Sequence, residues 1–535
     1  MPTGGPGPVG VACDGPLMRM WIRRVDLRLP FGLAAVLCVV YLVVQPLSPD
    51  LSAQLARAGA ASRGAGLWWA GWFGGINTST YSVLSGSVMG LLGVATFGVV
   101  ATVVICAAGT DLLRRAVRPR AGAVAVTLAA CSNLYSGRVT FAAGMALSLT
   151  AFCCLQRGWN RAGALLGAAS GLVSPLAAMC HVIGLVPDLV HGPRRRAALM
   201  LVTTVLPVGV VSVLFSQPSF MPFSGDILTY GLLVSAGVAL SPVPQPVRLL
   251  AVISAIVAVG CWLVPSPIGS NAVRLPMLAA APLVVAYARR GRRWTRAIVA
   301  GLLIWPVLTV TSDMAIAAQP SSSQRFYANL LTHLPAAGEA VQRVEVLDPE
   351  SHAASYYLSA QVPVARGWER QIDAAANPLF YDGTLTAQTY RAWLIQHAVG
   401  WIAVPASRLD YGSLAERALI RTHPAFLSQT WSDHNWSLYR VTVAAPAANG
   451  PFTVTGLLDH AVTFTASGSG SGTFTVPWSR LLTVRLDQDA TVTGCVTKNP
   501  SGQVDVTVPG PGAYRLIADP DPASCPGATP SPTQP

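Results

Sequence analysis

Asp50 is the residue of this sequence best placed for proton chemistry. It follows an apolar run, in Gln45-Pro46-Leu47-Ser48-Pro49-Asp50, and opens a segment ending at Tyr81 that contains Leu67-Trp68-Trp69-Ala70-Gly71-Trp72-Phe73-Gly74-Gly75. A carboxylate at a membrane surface can take the proton of a hydroxyl group. Trp68, Trp69, Trp72 and Tyr81 supply flat faces on which sugar rings or lipid headgroups stack. Arg138 and Arg274 fall at the ends of apolar runs on the same side, and each guanidinium could hold a phosphate bidentately. The same residues also fit an interfacial tryptophan belt with Asp50 as a helix cap. In that case the arginines would snorkel to headgroups or pair with Asp50 or Asp226.

The elements that must carry these groups are membrane spans. The first 315 residues contain no glutamate, seven aspartates and 23 arginines, and hydrophobic residues make up 52% of the whole chain. A water-soluble surface does not tolerate that composition, and arginine-rich cytoplasmic loops facing anionic lipid account for the basic balance without a nucleic-acid partner. Apolar runs occupy residues 30–44, 82–109, 121–136, 139–156, 197–215, 227–241, 248–264, 275–288 and 297–315. Residues 162–190, broken at Ser174-Pro175 and basic at both flanks, read as a hairpin of two short spans or a re-entrant pair. The expectation is an α-helical polytopic protein of about eleven spans, counted with a window of roughly 20 residues. The arginine clusters place its N-terminus in the cytoplasm and its C-terminus outside. On this topology Asp50, Asp226 and Asp313 face outward.

The expected organisation is a cytoplasmic segment 1–29, a membrane domain 30–315 with an outer loop 48–81, and extracytoplasmic units beyond it. Residues 316–448 mix short β-type runs with helical stretches and read as a small α/β domain. Residues 449–518 alternate in strands at 452–455, 462–465, 473–476, 482–486, 504–508 and 514–517, which predicts a β-sandwich. The Pro/Ser/Thr-rich tail 519–535 reads as disordered. Cys495 and Cys525 are the two cysteines of the outer part, and an oxidising compartment favours their pairing as a disulfide. The other eight read as small buried apolar residues. His352, His397, His423, His434 and His460 show no ligand spacing.

Several stretches carry a resemblance. They are Trp72-Phe73-Gly74-Gly75 with Tyr81-Ser82-Val83-Leu84, Gly137-Arg138-Val139-Thr140-Phe141-Ala142-Ala143-Gly144, and Ser174-Pro175-Leu176. Two more are Pro267-Ile268-Gly269-Ser270-Asn271-Ala272-Val273-Arg274-Leu275 and Arg366-Gly367-Trp368-Glu369-Arg370-Gln371-Ile372-Asp373, the latter followed by 377–382. Together with the acidic residue after the first span, they resemble the GT-C class of polyprenyl-phosphate-sugar-dependent glycosyltransferases. More closely they resemble a group of uncharacterised actinobacterial polytopic membrane proteins of that kind. The resemblance implies a plasma-membrane enzyme using a polyprenyl-phosphate-linked sugar and an envelope glycan, lipid or protein acceptor. Asp50 would be the general base, and Arg138 or Arg274 would neutralise the donor phosphate. The chain departs from the pattern in carrying Ile76-Asn77 where related proteins have histidine, and in lacking a second carboxylate for a D-x-D-like site. A divalent metal is the one cofactor the class would imply, and that missing carboxylate argues against it; no metal ligand is assigned.

The Arg366–Asp373 stretch concentrates charges and aromatics either for carbohydrate contact or for an internal salt-bridge network, and the structural role is favoured. Two other function classes stand beside the enzyme. One is a non-catalytic envelope assembly protein. The other, a transporter, would call for related halves and intramembrane carboxylates, neither of which the sequence shows.

Overall fold

The computed structural model describes residues 28–288, 293–336, 338, 340–489, 491 and 493–522. Asp14, Asp26, Cys13, Cys525, the arginines before residue 28, Arg289, Arg290, Arg292 and the tail from 523 lie outside the described residues.

The apolar runs fold as helices whose ends follow the Gly, Pro and Ser punctuation. The first, α1 (Arg28–Val44), is apolar almost throughout. It stops where Gln45 takes a positive φ of 42° before Pro46. Helix α2 (Pro49–Ser62) then leaves at 68° to α1, with Pro49 at its first turn. The run expected at 82–109 divides at Gly93, whose φ is 81°, into α3 (Ser85–Leu92) and α4 (Val94–Leu112). Next, α5 (Pro119–Tyr135) and α6 (Val139–Gln156) are joined by the tight turn at Ser136-Gly137. The break at Ser174-Pro175 separates α7 (Asn160–Val173) from α8 (Pro175–His191), and the Ser174 hydroxyl caps α8 by accepting from the Ala177 amide at 3.3 Å. The remainder of the bundle is α9 (Arg194–Leu214), α10 (Gly225–Leu240), α11 (Gln245–Leu263), α12 (Arg274–Tyr287) and α13 (Arg293–Ala317).

Among the described residues six helical segments are long and apolar enough to cross a membrane: α4, α6, α9, α11, the stretch Gly269–Tyr287 that includes α12, and α13; the bent α1–α2 pair is a seventh candidate. Helices α8 and α10 are apolar but shorter. Leu91, Val213, Leu233, Leu263 and Leu308 are exposed on this bundle, as residues facing lipid tails must be. The chain is a membrane protein.

Beyond α13 the chain forms two sheets. The first has strand order β3-β4-β6-β5, from β3 (Arg343–Val346), β4 (Val399–Pro405), β5 (Leu427–Ser432) and β6 (Trp436–Val441). Only β3 and β4 run parallel, connected through the helices Arg370–Ala376 and Ala387–Gln396. The second is antiparallel with order β7-β8-β13-β10-β11-β12-β9. Its strands are β7 (Phe452–Leu457), β8 (Ala461–Ala466), β9 (Gly470–Pro477), β10 (Leu482–Leu486), β11 (Thr493–Lys498), β12 (Gln503–Val508) and β13 (Gly512–Ala518). Alternate residues point inward, so Phe452, Phe464, Phe474, Val504, Val506 and Tyr514 share one core. The Phe452 and Phe474 rings, from the two ends of the strand order, lie 5.5 Å apart. The two ends of the hydrogen-bonded strand order thus face one another across a single core. Strand β11 has too little apolar content to be legible as a strand in the sequence; its Cys495 is disulfide-bonded.

Both sheets dock on the long first loop. Residues 68–77 form a short hairpin, β1 (Trp68–Trp69) with β2 (Ile76–Asn77). The Trp69 indole donates to Asp459 at 2.6 Å, and the Asn77 amide oxygen accepts from Ser479 at 2.7 Å. Arg63 forms an ion pair with Asp459, and Val364 pairs its amide with the Gly71 carbonyl at 2.9 Å.

The Arg366–Asp373 stretch is a buried ion network. The Arg366 guanidinium grips Asp373 with two hydrogen bonds of 2.9 and 2.7 Å, lies 3.3 Å from both Glu345 and Glu416, and covers the Phe380 ring at 3.8 Å. Arg370 pairs with Asp410 at 2.6 Å. Burial alone would raise the Asp373 pKa, but Arg366, with hydrogen bonds from Tyr381 and Asn377, holds it below the ordinary carboxylate value. Glu416 is different. Burial pushes its carboxyl up to about 7 although Arg366 and the Tyr390 hydroxyl favour the ionised form. Its folded-state pKa lies above its unfolded value, so the folded chain binds the extra proton. That contribution to stability is fully present below the unfolded pKa and is lost as pH rises through about 7. Glu416→Gln is expected to flatten the fall in thermal midpoint between pH 5 and 8; an unchanged pH profile in scanning fluorimetry would exclude this role for Glu416.

Candidate functional site

The site assembles where α2, the α5–α6 turn and the start of α12 converge. Asp50 lies in the first turn of α2, a favourable place for a carboxylate next to free backbone amides. It does not cap the helix. Ser48 is the N-cap residue, and the Asp50 carboxylate turns instead to Arg138 and Arg274. Arg138 Nε donates to Asp50 Oδ2 at 2.9 Å, and an Arg274 terminal nitrogen lies 3.6 Å from the same oxygen. The side chains of Asp50, Arg138 and Arg274 remain 28, 18 and 21% exposed, so the cluster is reachable without being an open surface.

Local sequence explains this convergence. Gly137, with φ 74°, lets the α5–α6 turn press onto the beginning of α2, and a Cβ there would stand 2.4 Å from the Leu51 amide nitrogen. Arg274 follows a 3-10 turn, Gly269–Val273, at the head of α12, with its guanidinium 5.9 Å from the centre of the Phe141 ring. Asp313 on α13 interacts electrostatically with Arg138, Arg274 and Asp50 and has one carboxyl oxygen buried. Asp226 is exposed at the start of α10.

Next to this polar cluster lies a cavity of about 500 Å³ inside the helical bundle, bounded by α4, α5, α6, α8, α10, α11 and α12. Its lining is overwhelmingly apolar. One end reaches Phe141 and Leu275, within a turn of Arg138 and Arg274 in sequence, and Asp188 and Arg196 also line it. The polar cluster and the apolar cavity thus lie side by side.

The aromatic residues of the first loop take another role. Trp68, Trp69 and Trp72 are 2, 0 and 0% exposed, enclosed between the hairpin and the sheets that dock on it. Their faces are spent on protein contacts: Trp69 packs on Trp72 at 4.6 Å, and Trp72 leaves no room for a Cβ at Gly367. In this arrangement they are packing groups of the loop, not a stacking platform for sugar. The reason is tertiary, because the loop that looks free in the sequence is roofed by residues more than 250 positions away. Tyr81 is half-buried; its hydroxyl accepts from Gln54 at 3.1 Å, and its ring lies under the Arg57 guanidinium at 4.0 Å.

Two contributors are not singled out by the sequence. His352, at a positive φ of 53°, stacks on Trp368 at 3.4 Å and hydrogen-bonds Asp348 at 2.5 Å, and the Ser52 hydroxyl, two residues after Asp50, donates to the carbonyl of the preceding Ser351. No local signal links it to a residue 302 positions earlier. The second is the face of α2. Asp50, Gln54 and Arg57 follow at helical spacing, a pattern that reading residues 48–81 as a loop conceals.

No family model matches this chain, and no curated protein matches it. Among solved structures, it is similar to ArnT from Cupriavidus metallidurans in the apo state, at 14% identity over 78% of this chain and 99% of that one, with a TM-score of 0.41. It is also similar to the arabinofuranosyltransferase AftD from Mycobacteria, at 12% identity over 94% of this chain and 58% of that one, with a TM-score of 0.39. The residues around Asp50 do not suit a divalent cation. The carboxylate is already held by two guanidiniums, and among the described residues no group of three His, Cys, Asp or Glu side chains could hold a metal.

Proposed function

We propose that this protein is a membrane glycosyltransferase that moves a sugar from a polyprenyl-phosphate-linked donor to a cell-envelope glycan, lipid or protein at the outer face of the plasma membrane. The observation that carries this reading is the adjacency of an anion-binding arginine pair, a carboxylate and an apolar cavity. A lipid-linked sugar phosphate has three matching parts: a phosphate for the arginines, a reacting sugar for the carboxylate and a hydrocarbon chain for the cavity.

In the resting protein Asp50 is a weak base, because Arg138 and Arg274 stabilise its ionised form. A donor phosphate draws the guanidiniums toward itself, since Arg binds phosphate with paired, charge-assisted hydrogen bonds. Asp50 is then released to accept the proton of the acceptor hydroxyl. The hydroxyl oxygen bonds to the anomeric carbon, the bond from that carbon to the phosphate oxygen breaks, and its electron pair leaves with the phosphate held by the arginines. Inversion at the anomeric carbon follows from a single displacement.

The sidedness belongs to the same proposal. The N-terminus is cytoplasmic and the sheets beyond α13 are extracytoplasmic, with Cys525 as the partner of Cys495. A reporter fused after Arg296 should read cytoplasmic and one at Asn449 external, and non-reducing peptide mapping should recover the two cysteines together. The function itself is tested by mass spectrometry of protein purified in mild detergent. Copurifying polyprenyl phosphate, lost in an Arg138→Ala/Arg274→Ala double variant, is the expected result. Absence of any lipid phosphate from the wild type, together with no transfer from a synthetic polyprenyl-phosphate sugar in proteoliposomes, would move the non-catalytic assembly role ahead.

A further inference from the structure

Helix α2 carries Asp50, yet what holds α2 in place comes largely from elsewhere. Its polar face presents Asp50, Gln54 and Arg57 in a line. The Gln54 side chain accepts from Thr140 of α6 at 2.6 Å and donates to Tyr81, which ties this face to the helix that begins beside Arg138. Arg57, two turns from Asp50, forms an ion pair with Glu369, and both side chains are more than nine-tenths buried. Glu369 sits in the segment that lies over Trp72 at Gly367 and leads into the Arg366–Asp373 network. A second tie lies nearer the carboxylate, where the Ser52 hydroxyl donates to the Ser351 carbonyl at 3.2 Å, one residue before His352. The region beyond α13 thus grips α2 at two points, one beside Asp50 and one at its third turn.

We propose that Glu369 is a positioning residue for Asp50, acting through Arg57 to fix the axial setting of α2 against Arg138 and Arg274; this rests on the reading of Asp50 as the reacting carboxylate. A guanidinium buried this deeply is costly to leave without its anion. With the charge of Glu369 removed, Arg57 must seek solvent or another carboxylate, and α2 turns or shifts with it. A displacement of about 1 Å at a reacting group can lower turnover roughly 10²-fold. The arginines that receive the donor phosphate stand outside α2, at the α5–α6 turn and at the head of α12, so donor affinity is expected to stay near that of the wild type.

Two readouts test this, and the first does not depend on the reaction. In an Ala53→Cys background, whose position is buried, Glu369→Gln should raise the rate of labelling by a membrane-impermeant maleimide at least tenfold, as roughly expected when a packed helix loses a fixed contact. Unchanged labelling overturns the proposal even if no transfer is ever measured. The second readout is transfer from a synthetic polyprenyl-phosphate sugar in proteoliposomes. Here kcat should fall roughly 10²-fold with KM for the donor nearly constant, and Glu369→Asp should restore part of the loss. Loosened labelling with unchanged kcat also overturns the proposal while leaving the proposed reaction intact. Should Glu369→Gln fail to fold, Arg57→Lys keeps the charge and loses the fork geometry. It should show the same split in smaller measure, and wild-type behaviour in both assays would count against the assignment.

Discussion

Asp50→Asn is expected to lower kcat for sugar transfer by about 10²–10⁴-fold, the usual cost of losing a general base, while leaving the protein folded and membrane-inserted. Asparagine keeps the shape of aspartate and can still accept a hydrogen bond from Arg138 Nε, so the packing of α2 against the α5–α6 turn is preserved. What disappears is the negative charge. Without it the two guanidiniums lose the carboxylate that holds them and are freer for phosphate, so KM for a polyprenyl-phosphate donor should hold steady or drop. That combination separates proton abstraction from donor binding. An Arg138→Ala variant should do the opposite and raise KM. Steady-state transfer measured in proteoliposomes at several donor concentrations checks both. A fully active Asp50→Asn protein would remove Asp50 from the chemistry.

The second large effect is expected at Gly137. Alanine there would have to adopt the left-handed conformation at φ 74°, and its methyl group would overlap the Leu51 amide nitrogen and the Ser48 hydroxyl, at 2.4 and 2.6 Å. Left-handed strain and overpacking together amount to about 2–5 kcal/mol. Because the obstructing atoms include the backbone of α2, relief comes by pushing the start of that helix away from Arg138. Gly137→Ala should therefore lose transfer activity beyond what its lowered thermal midpoint explains. Gly158 provides the comparison. It has a similar φ of 79°, but a methyl group there would meet nothing within 4 Å, so Gly158→Ala bears the backbone strain without the collision. Equal melting temperatures and activities for the two variants would show that the contact with α2 is not decisive.

The ion network around Arg366 illustrates how charge and burial divide the work in this protein. Asp373 stays ionised because a bidentate guanidinium offsets its burial, whereas burial raises Glu345 well above its ordinary value, with the neighbouring Glu416 adding to the shift. One arginine cannot compensate three buried carboxylates. The network is therefore a structural element of the region beyond α13, in keeping with the role favoured from its composition, and it is linked to the candidate site through Glu369, which pairs with Arg57, and through Trp368, which stacks on His352.

What the sequence determined by itself was the membrane character, most of the helix ends and a short list of charges at the ends of apolar runs. Apolar runs without glutamate cannot fold in water as a soluble core, and Gly137 and Ser174-Pro175 impose breaks through local backbone geometry that needs no tertiary partner. Asp50, Arg138 and Arg274 could be selected because charges at the ends of apolar runs are few and costly. Tertiary structure decided what those charges meet. The pairing of Asp50 with both arginines joins segments 88 and 224 residues apart, and nothing in local spacing distinguishes it from pairing with Asp226. It also decided that Trp68, Trp69 and Trp72 are enclosed. An indole's preference for an interface is satisfied equally by lipid, sugar or another sheet of the same chain, and only the folded chain shows that the sheets beyond α13 cover it.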